Sequence, residues 1–133
     1  MWTRVWGRVT MGFGEITRLP EFERDLKKLL KRFPTLVSDL NTLIDTLLFL
    51  HHKITPHPEV RQISDLGNTP LPVHKVRRFA CRSLKGRGAR TGLRLVYAWD
   101  EARDAITLIE IYIKTDKANE DRKRILKYFD DLE

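Results

Sequence analysis

Lys75 and Arg77 stand two residues apart. Arg94 follows a basic, glycine-rich segment, and Tyr112 and Lys114 again stand two apart. On a β-strand a spacing of two returns side chains to the same face. Three such strands would gather Lys75, Arg77, Arg94, Tyr112 and Lys114 on one open surface in the simplest register. That set suits cleavage of RNA through its own 2′-hydroxyl, which needs no metal. One group must take the 2′ proton, cations must stabilise the charge on a five-coordinate phosphate, and an acid must protonate the departing 5′-oxygen. Arg77 and Arg94 suit the middle task, because guanidinium grips phosphate oxygens in pairs. Lysine is ordinarily a poor base, with a free pKa of roughly 10.4. Crowding by Arg77 and Arg94 would lower the pKa of Lys75 and make it a conceivable base. Lys114 or Tyr112 could donate late in the reaction, or Tyr112 could stack a base. The plainer reading makes each an ordinary exposed sheet residue with Glu110 as counter-ion.

The charge distribution favours a polyanionic partner. No Asp or Glu occurs between Leu66 and Trp99, while Lys75, Arg77, Arg78, Arg82, Lys85, Arg87, Arg90 and Arg94 all fall in that interval. The chain carries +7 overall, so the remainder is close to neutral and the basicity is one patch. Such a patch repels itself unless nucleic acid or an acidic protein segment neutralises it. Arg78, Arg82, Lys85, Arg87 and Arg90 are the candidate RNA contacts around the reactive set. The alternative is a solvated charge run on a surface hairpin.

The elements that would position these groups follow from periodicity. Residues 15–19 read as a short first strand. Pro20 opens a helix whose Phe22, Leu26, Leu29, Leu30 and Phe33 share one face. Lys27, Lys28, Lys31 and Arg32 form its solvated face. Pro34 ends that helix, and Thr35 can cap a second one with a stripe of Leu36, Leu40, Leu43, Ile44 and Leu47. The short joint makes an αα-hairpin. Residues 51–72, rich in His, Pro, Thr and Asn, read as loop with a short strand near 60–63. Residues 74–81, 93–99 and 106–114 read as antiparallel strands. Thr107, Ile109, Ile111 and Ile113 are expected on the core face of the last. Residues 100–104 form a tight acidic turn. Asp116 or Asn119 is expected to cap a final helix with Ile125, Leu126, Phe129 and Leu132 inward. The sum is an α+β domain over residues 14–133, its helices against one face of a mainly antiparallel sheet of three or four strands, or four or five with the N-terminal strand. Residues 1–13 read as a loosely ordered extension in which Met11 could be a second start, with Trp2 and Trp6 of undecided role.

The remaining chemistry-bearing residues carry bland expectations. His51, His52 and His57 read as surface histidines rather than metal ligands. His74 points away from Lys75 and reads as structural. Cys81 lacks a recognisable base and reads as a half-buried strand cysteine. Phe79 and Trp99 read as core, and Tyr128 as partly core. One cysteine cannot form an internal disulfide and fits a reduced, cytoplasmic setting. No apolar stretch, Leu47–Leu50 included, is long enough to cross a bilayer. No metal or cofactor is implied.

Four segments in order carry a family likeness: His74-Lys75-Val76-Arg77, the basic-glycine stretch 85–92, Leu93-Arg94-Leu95-Val96-Tyr97 and Ile111-Tyr112-Ile113-Lys114. Together they resemble the RelE/ParE toxin superfamily of type II toxin–antitoxin systems, with the HigB-type members most similar, over about residues 14–132. The resemblance implies a RelE-like fold. It implies a cytoplasmic toxin that acts as a ribosome-dependent, metal-independent mRNA endoribonuclease (an mRNA interferase) and inhibits translation. It also implies a small cognate antitoxin, with the ribosome and mRNA as the other partners. Lys75 and Arg77 match the paired basic positions of the central strand, Arg94 the phosphate-holding arginine, and Lys114 the lysine ending the last strand. The acid or stacking group that some relatives carry after that lysine is missing, because Thr115 and Asp116 follow and the tail has no histidine. The rival expectations are a ParE-like DNA gyrase inhibitor and a basic nucleic-acid-binding module without chemistry.

Overall fold

The computed structural model describes the backbone of residues 3–5 and 8–10, and residues 12–84 and 91–132 in full. A five-stranded sheet organises the chain. In sequence order β1 is Thr3–Val5, β2 Arg8–Thr10, β3 Glu15–Arg18, β4 Val60–Gln62, β5 Val73–Val76, β6 Leu93–Asp100 and β7 Ala105–Ile113. The sheet order is β3-β7-β6-β5-β4, with β3 parallel to β7 and every other pair antiparallel. β1 and β2 form a separate two-stranded ladder within the segment expected as a loose extension, and Phe13 just after it is buried against Phe49 and Trp99.

β6 alternates as its sequence predicts. Leu93, Leu95, Tyr97 and Trp99 enter one core, and Val96 and Ala98 enter a second on the opposite face. β7 departs from strict alternation. Val96 pairs with Glu110 but Tyr97 pairs with Leu108, so Ile109 is the extra residue of a β-bulge. Ile106, Leu108, Ile111 and Ile113 therefore share the first core, whereas Ile109 and Tyr112 lie in the second. The expectation that Thr107, Ile109, Ile111 and Ile113 share a face is thus corrected. One inserted residue reverses every side chain beyond it.

The first face is covered by α1 (Pro20–Leu30) and by α2 (Leu36–Leu43), which runs through a π-helical turn, Ile44–Leu48, into α3 (Phe49–Lys53). Phe22, Leu26, Leu29, Leu36, Leu40, Ile44 and Leu48 supply its core. The helix thus extends through His51 and His52, which were expected in a loop. Thr35 occupies the N-cap position of α2, its carbonyl accepting from the Asp39 N–H at 2.9 Å, but its side chain does not cap the helix. Its hydroxyl donates to Asp39 at 2.7 Å and shares a 2.7 Å bond with Ser83. The fourth helix, α4 (Arg122–Asp131), lies on the second face, so the expectation of helices on one face only is also corrected. Asp121, not Asp116 or Asn119, caps it by accepting from the Arg124 backbone N–H at 3.1 Å. Ile125 and Phe129 are buried, while Leu126 and Leu132 are 42% and 57% exposed. No helix among the described residues is long and apolar enough to cross a membrane.

β3 ends at Arg18, opposite Leu108, and leaves the rest of β7 without a strand on that side. Two side chains take over. Asp25 of α1 accepts from the Ile111 N–H at 3.3 Å, and Arg124 of α4 donates to the Ile109 carbonyl at 3.0 Å. The two also pair with each other, Arg124 Nη1 to Asp25 Oδ2 at 2.5 Å and Nη2 to Oδ1 at 3.2 Å. Their side chains are only 16% and 20% exposed. Removing one partner strands the other beside unpaired backbone groups. Arg124→Ala should therefore lower the unfolding free energy by about 2–3 kcal/mol. Urea denaturation measures this, and an unchanged midpoint and slope would contradict the edge assignment.

Candidate nucleic-acid interface

The second face of the sheet is open where α4 does not cover it, toward β4 and the ends of β6 and β7. There a cavity of about 430 Å³ is lined by Lys75, Arg77, Arg94, Tyr112 and Lys114 together. Register explains the convergence. Arg61 of β4 lies opposite Lys75 of β5, and Arg94 of β6 lies opposite Tyr112 of β7. Arg77 follows β5, its backbone N–H donating to the Glu59 carbonyl at 3.0 Å. Lys114 follows β7, its N–H donating to the Gly92 carbonyl at 2.8 Å. Gly92 turns the chain into β6 with φ of +82°, a left-handed conformation that a β-carbon would strain.

Arg61, Glu120 and Arg122 also line this cavity, and residue-type reasoning missed all three. Arg61 sits in the short strand expected near 60–63, and its alternation would have placed it had the β4–β5 pairing been known. Arg122 donates to the Asp65 carbonyl at 3.0 Å. Nothing local in the sequence marks Glu120. Six cations, Arg61, Lys75, Arg77, Arg94, Lys114 and Arg122, thus line the cavity with one carboxylate, Glu120.

That carboxylate accepts from Lys75 Nζ at 2.9 Å, and its side chain is 6% exposed. Lys75 is engaged as a donor, which opposes its expected use as a base. Arg94 donates to its neighbour's carbonyl, Leu93 O, at 3.1 Å. Among the described residues no salt bridge holds Arg61, Arg77, Arg94 or Lys114. Glu110 is not their counter-ion. It is 1% exposed, accepts from Lys117 Nζ, and accepts from the Asp121 N–H at 2.8 Å.

Tyr112 is 6% exposed and packs in the second core. With the Lys117 ammonium 5.4 Å from its ring centre as well, the ring leaves little surface for stacking a base. Burial first, then the carboxylates of Glu120 and Glu110, push its phenol up to about 12 against the opposing influence of Arg94.

The outer candidate contacts divide. Arg78 is exposed and lies 3.5 Å from Glu59. Arg82 is turned toward α2. Its backbone N–H and Nε donate to Asp39, each at 2.9 Å, and Nη2 donates to Ser38 at 2.6 Å. Burial raises the Asp39 carboxyl, but bonds from Thr35 and Arg82 outweigh it and hold the group below its ordinary 3.8. Neither Arg78 nor Arg82 lines the cavity, and Lys85, Arg87 and Arg90 lie outside the described residues. Cys81 is buried, with its sulfur 3.7 Å from the Thr35 hydroxyl. Phe79 and Trp99 are core, and the Tyr128 hydroxyl donates to Thr107 at 3.2 Å.

Comparison with protein-family models, with curated proteins and with solved structures gives no match for this chain.

The environment of Tyr112 has a measurable consequence. A folded-state value above the free value of 10.0 means that its contribution to stability is fully present below pH 10 and is lost as pH rises through about 12. Phenolate absorbance, compared between the intact chain and Tyr112→Phe, should place this ionisation near pH 12. Ionisation at the ordinary value would show that the ring is not packed as described.

Proposed function

We propose that this protein is a toxin of the RelE/HigB kind, a ribosome-dependent endoribonuclease that cuts mRNA. The observation that carries the proposal is the convergence of Lys75, Arg77, Arg94, Tyr112 and Lys114, from three strands, on one open cavity beside a single carboxylate. The sequence resemblance adds the substrate and the ribosomal setting. Six cations around one carboxylate repel a divalent cation and attract a phosphodiester, which supports chemistry carried by side chains.

In this scheme RNA lies across the cavity with its scissile phosphate between Arg77 and Arg94. Glu120, rather than Lys75, takes the proton from the 2′-hydroxyl as the 2′-oxygen bonds to phosphorus. Lys75 orients Glu120 beforehand and stabilises the phosphorane once the substrate draws it away. Arg77, Arg94 and Lys114 neutralise the developing charge, where fixed cations act most strongly. The bond to the 5′-oxygen breaks, that oxygen takes the proton held by Glu120 through an intervening water, and the products are a 2′,3′-cyclic phosphate and a 5′-hydroxyl. Tyr112 acts as a neutral phenol at the floor of the site. A cognate antitoxin with an acidic segment would cover the same cavity and silence it.

Primer extension on mRNA translated with purified ribosomes tests this. The intact chain should produce defined cuts. Arg94→Ala should lower the cleavage rate about 100-fold or more. Glu120→Gln should lower it by a similar factor while RNA affinity is retained, because the base is lost and the cations remain. Intact mRNA together with cleaved or relaxed plasmid would replace the proposal with gyrase inhibition. Intact mRNA with salt-dependent RNA affinity alone would replace it with a binding module.

A further inference from the structure

The helix-covered face of the sheet carries a second cluster that RNA cleavage does not use. His51 and His52 are consecutive on α3, and His74 meets them from β5. One ring nitrogen from each lies within 4.8 Å of those of the other two. The ring centroids are 4.7 Å apart for His51 and His52, 5.0 Å for His52 and His74, and 5.7 Å for His51 and His74. His51 and His52 are thus not the solvent-facing loop histidines expected from the sequence, while His74 faces inward as expected.

The surroundings hold the rings in place. His52 stacks on Trp99 at 4.5 Å, and its Nε2 shares a 2.6 Å bond with the Tyr97 hydroxyl. His74 stacks on Tyr97 at 5.4 Å. His74 is 8% exposed, and its Nδ1 is buried without a hydrogen-bond partner. A buried polar atom of this kind calls for an explanation, because its desolvation is not compensated. Burial first, then neighbouring charge, disfavours the protonated form of His52 and His74.

We propose that His51, His52 and His74 form a binding site for a divalent transition-metal ion of the zinc class. Three imidazoles suit such ions, whereas magnesium and calcium require oxygen donors. A tetrahedral site with Zn–N of about 2.0–2.1 Å places its ligand nitrogens about 3.4 Å apart. Reaching that spacing from separations of up to 4.8 Å requires the partly buried rings of His51 and His52, on the last turn of a helix, to move inward when the ion binds. His51 Nδ1 accepts from the His57 backbone N–H at 2.8 Å, and coordination through that atom exchanges this bond for the metal. The Tyr97 hydroxyl holds His52 through Nε2 and so leaves Nδ1 as the nitrogen for an ion. Water completes the fourth position from the partly exposed side of His51 and His52. The ion would clip α3 to β5 on the face opposite Lys75 and the RNA cavity, so the site does not depend on the proposed cleavage.

Competition of the full chain against a chromophoric chelator for zinc, with cobalt as a spectroscopic substitute, tests the site. The intact chain should bind one zinc ion. His51→Ala and His52→Ala should each weaken binding at least about tenfold, and both residues are exposed enough for these variants to fold. His57→Ala should bind as the intact chain does. The cobalt complex should show the visible bands of a tetrahedral site with nitrogen and oxygen donors. Absence of saturable zinc binding, equal affinity in the intact chain and both variants, or a thiolate charge-transfer band implicating Cys81 would each overturn the proposal.

Discussion

The part of the sheet that carries the site depends on how the bare edge of β7 is satisfied. β3 pairs with β7 only as far as Leu108. Beyond it, backbone groups of a strand buried on both faces would lack partners, and such groups are costly to leave unpaired. Asp25 and Arg124 meet that need from opposite sides of the sheet and bind each other around its rim. α1 and α4 are thereby tied to the same point on β7. This point adjoins the bulge at Ile109, where local twist rises and regular pairing fails. The bulge in turn puts Tyr112 on the cavity side, and the edge network stabilises the irregularity that aims it.

The same network extends to the carboxylate in the cavity. Glu110, adjacent to the bulge, accepts from the Asp121 N–H and from Lys117. Asp121 caps α4 through Arg124, whose guanidinium holds Asp25. The segment from Lys117 to Asp121 is thus anchored at both ends, and Glu120 within it has little freedom except toward Lys75. Four other acids are occupied elsewhere. Asp39 is engaged by Arg82, Glu59 by Arg78, Asp104 by Lys53 and Asp116 by Arg32. Among the described residues that line it, the cavity keeps six cations against one carboxylate. That is the arrangement expected of a surface whose stabilising counter-charge arrives with a ligand.

Much of this was legible in the sequence, and the illegible remainder has identifiable causes. The alternation of residues 93–99 and the helical stripe from Phe22 to Leu29 report burial by nearby, repeated contacts, and both elements formed as read. The K-x-R and Y-x-K spacings carried their cations to one face for the same reason. The bulge left no mark, because Leu-Ile-Glu-Ile satisfies the apolar pattern in either register. The cap at Asp121 competed with Asp116 and Asn119, and the bond that the Asp121 N–H donates to Glu110 favours it. Glu120 and Arg61 are partners of Lys75 by tertiary placement alone, at separations of 45 and 14 positions in the chain. The histidine cluster was hidden because a helix reading that stopped before His51 left that residue and His52 in a loop. The π turn at Ile44–Leu48 instead carries the helix on and presents both rings to β5.

β5 shows how closely the cationic cavity and the histidine cluster are bound to one register. Val73 and Lys75 face the cavity side, while His74 and Val76 face the helices. A slip of one residue would drive the Lys75 ammonium among Tyr97, His52 and Val60, and would turn an imidazole toward the cations. The first change buries an unpaired charge and the second discards a stacked aromatic contact. Four residues of strand are too few to fix register through backbone bonds alone. The alternation of aromatic and cation across β5 supplies the discrimination, with His74 stacked on Tyr97 behind and Lys75 paired with Glu120 in front. The placement of the cationic site therefore rests on the packing of an imidazole on the far side of the same strand.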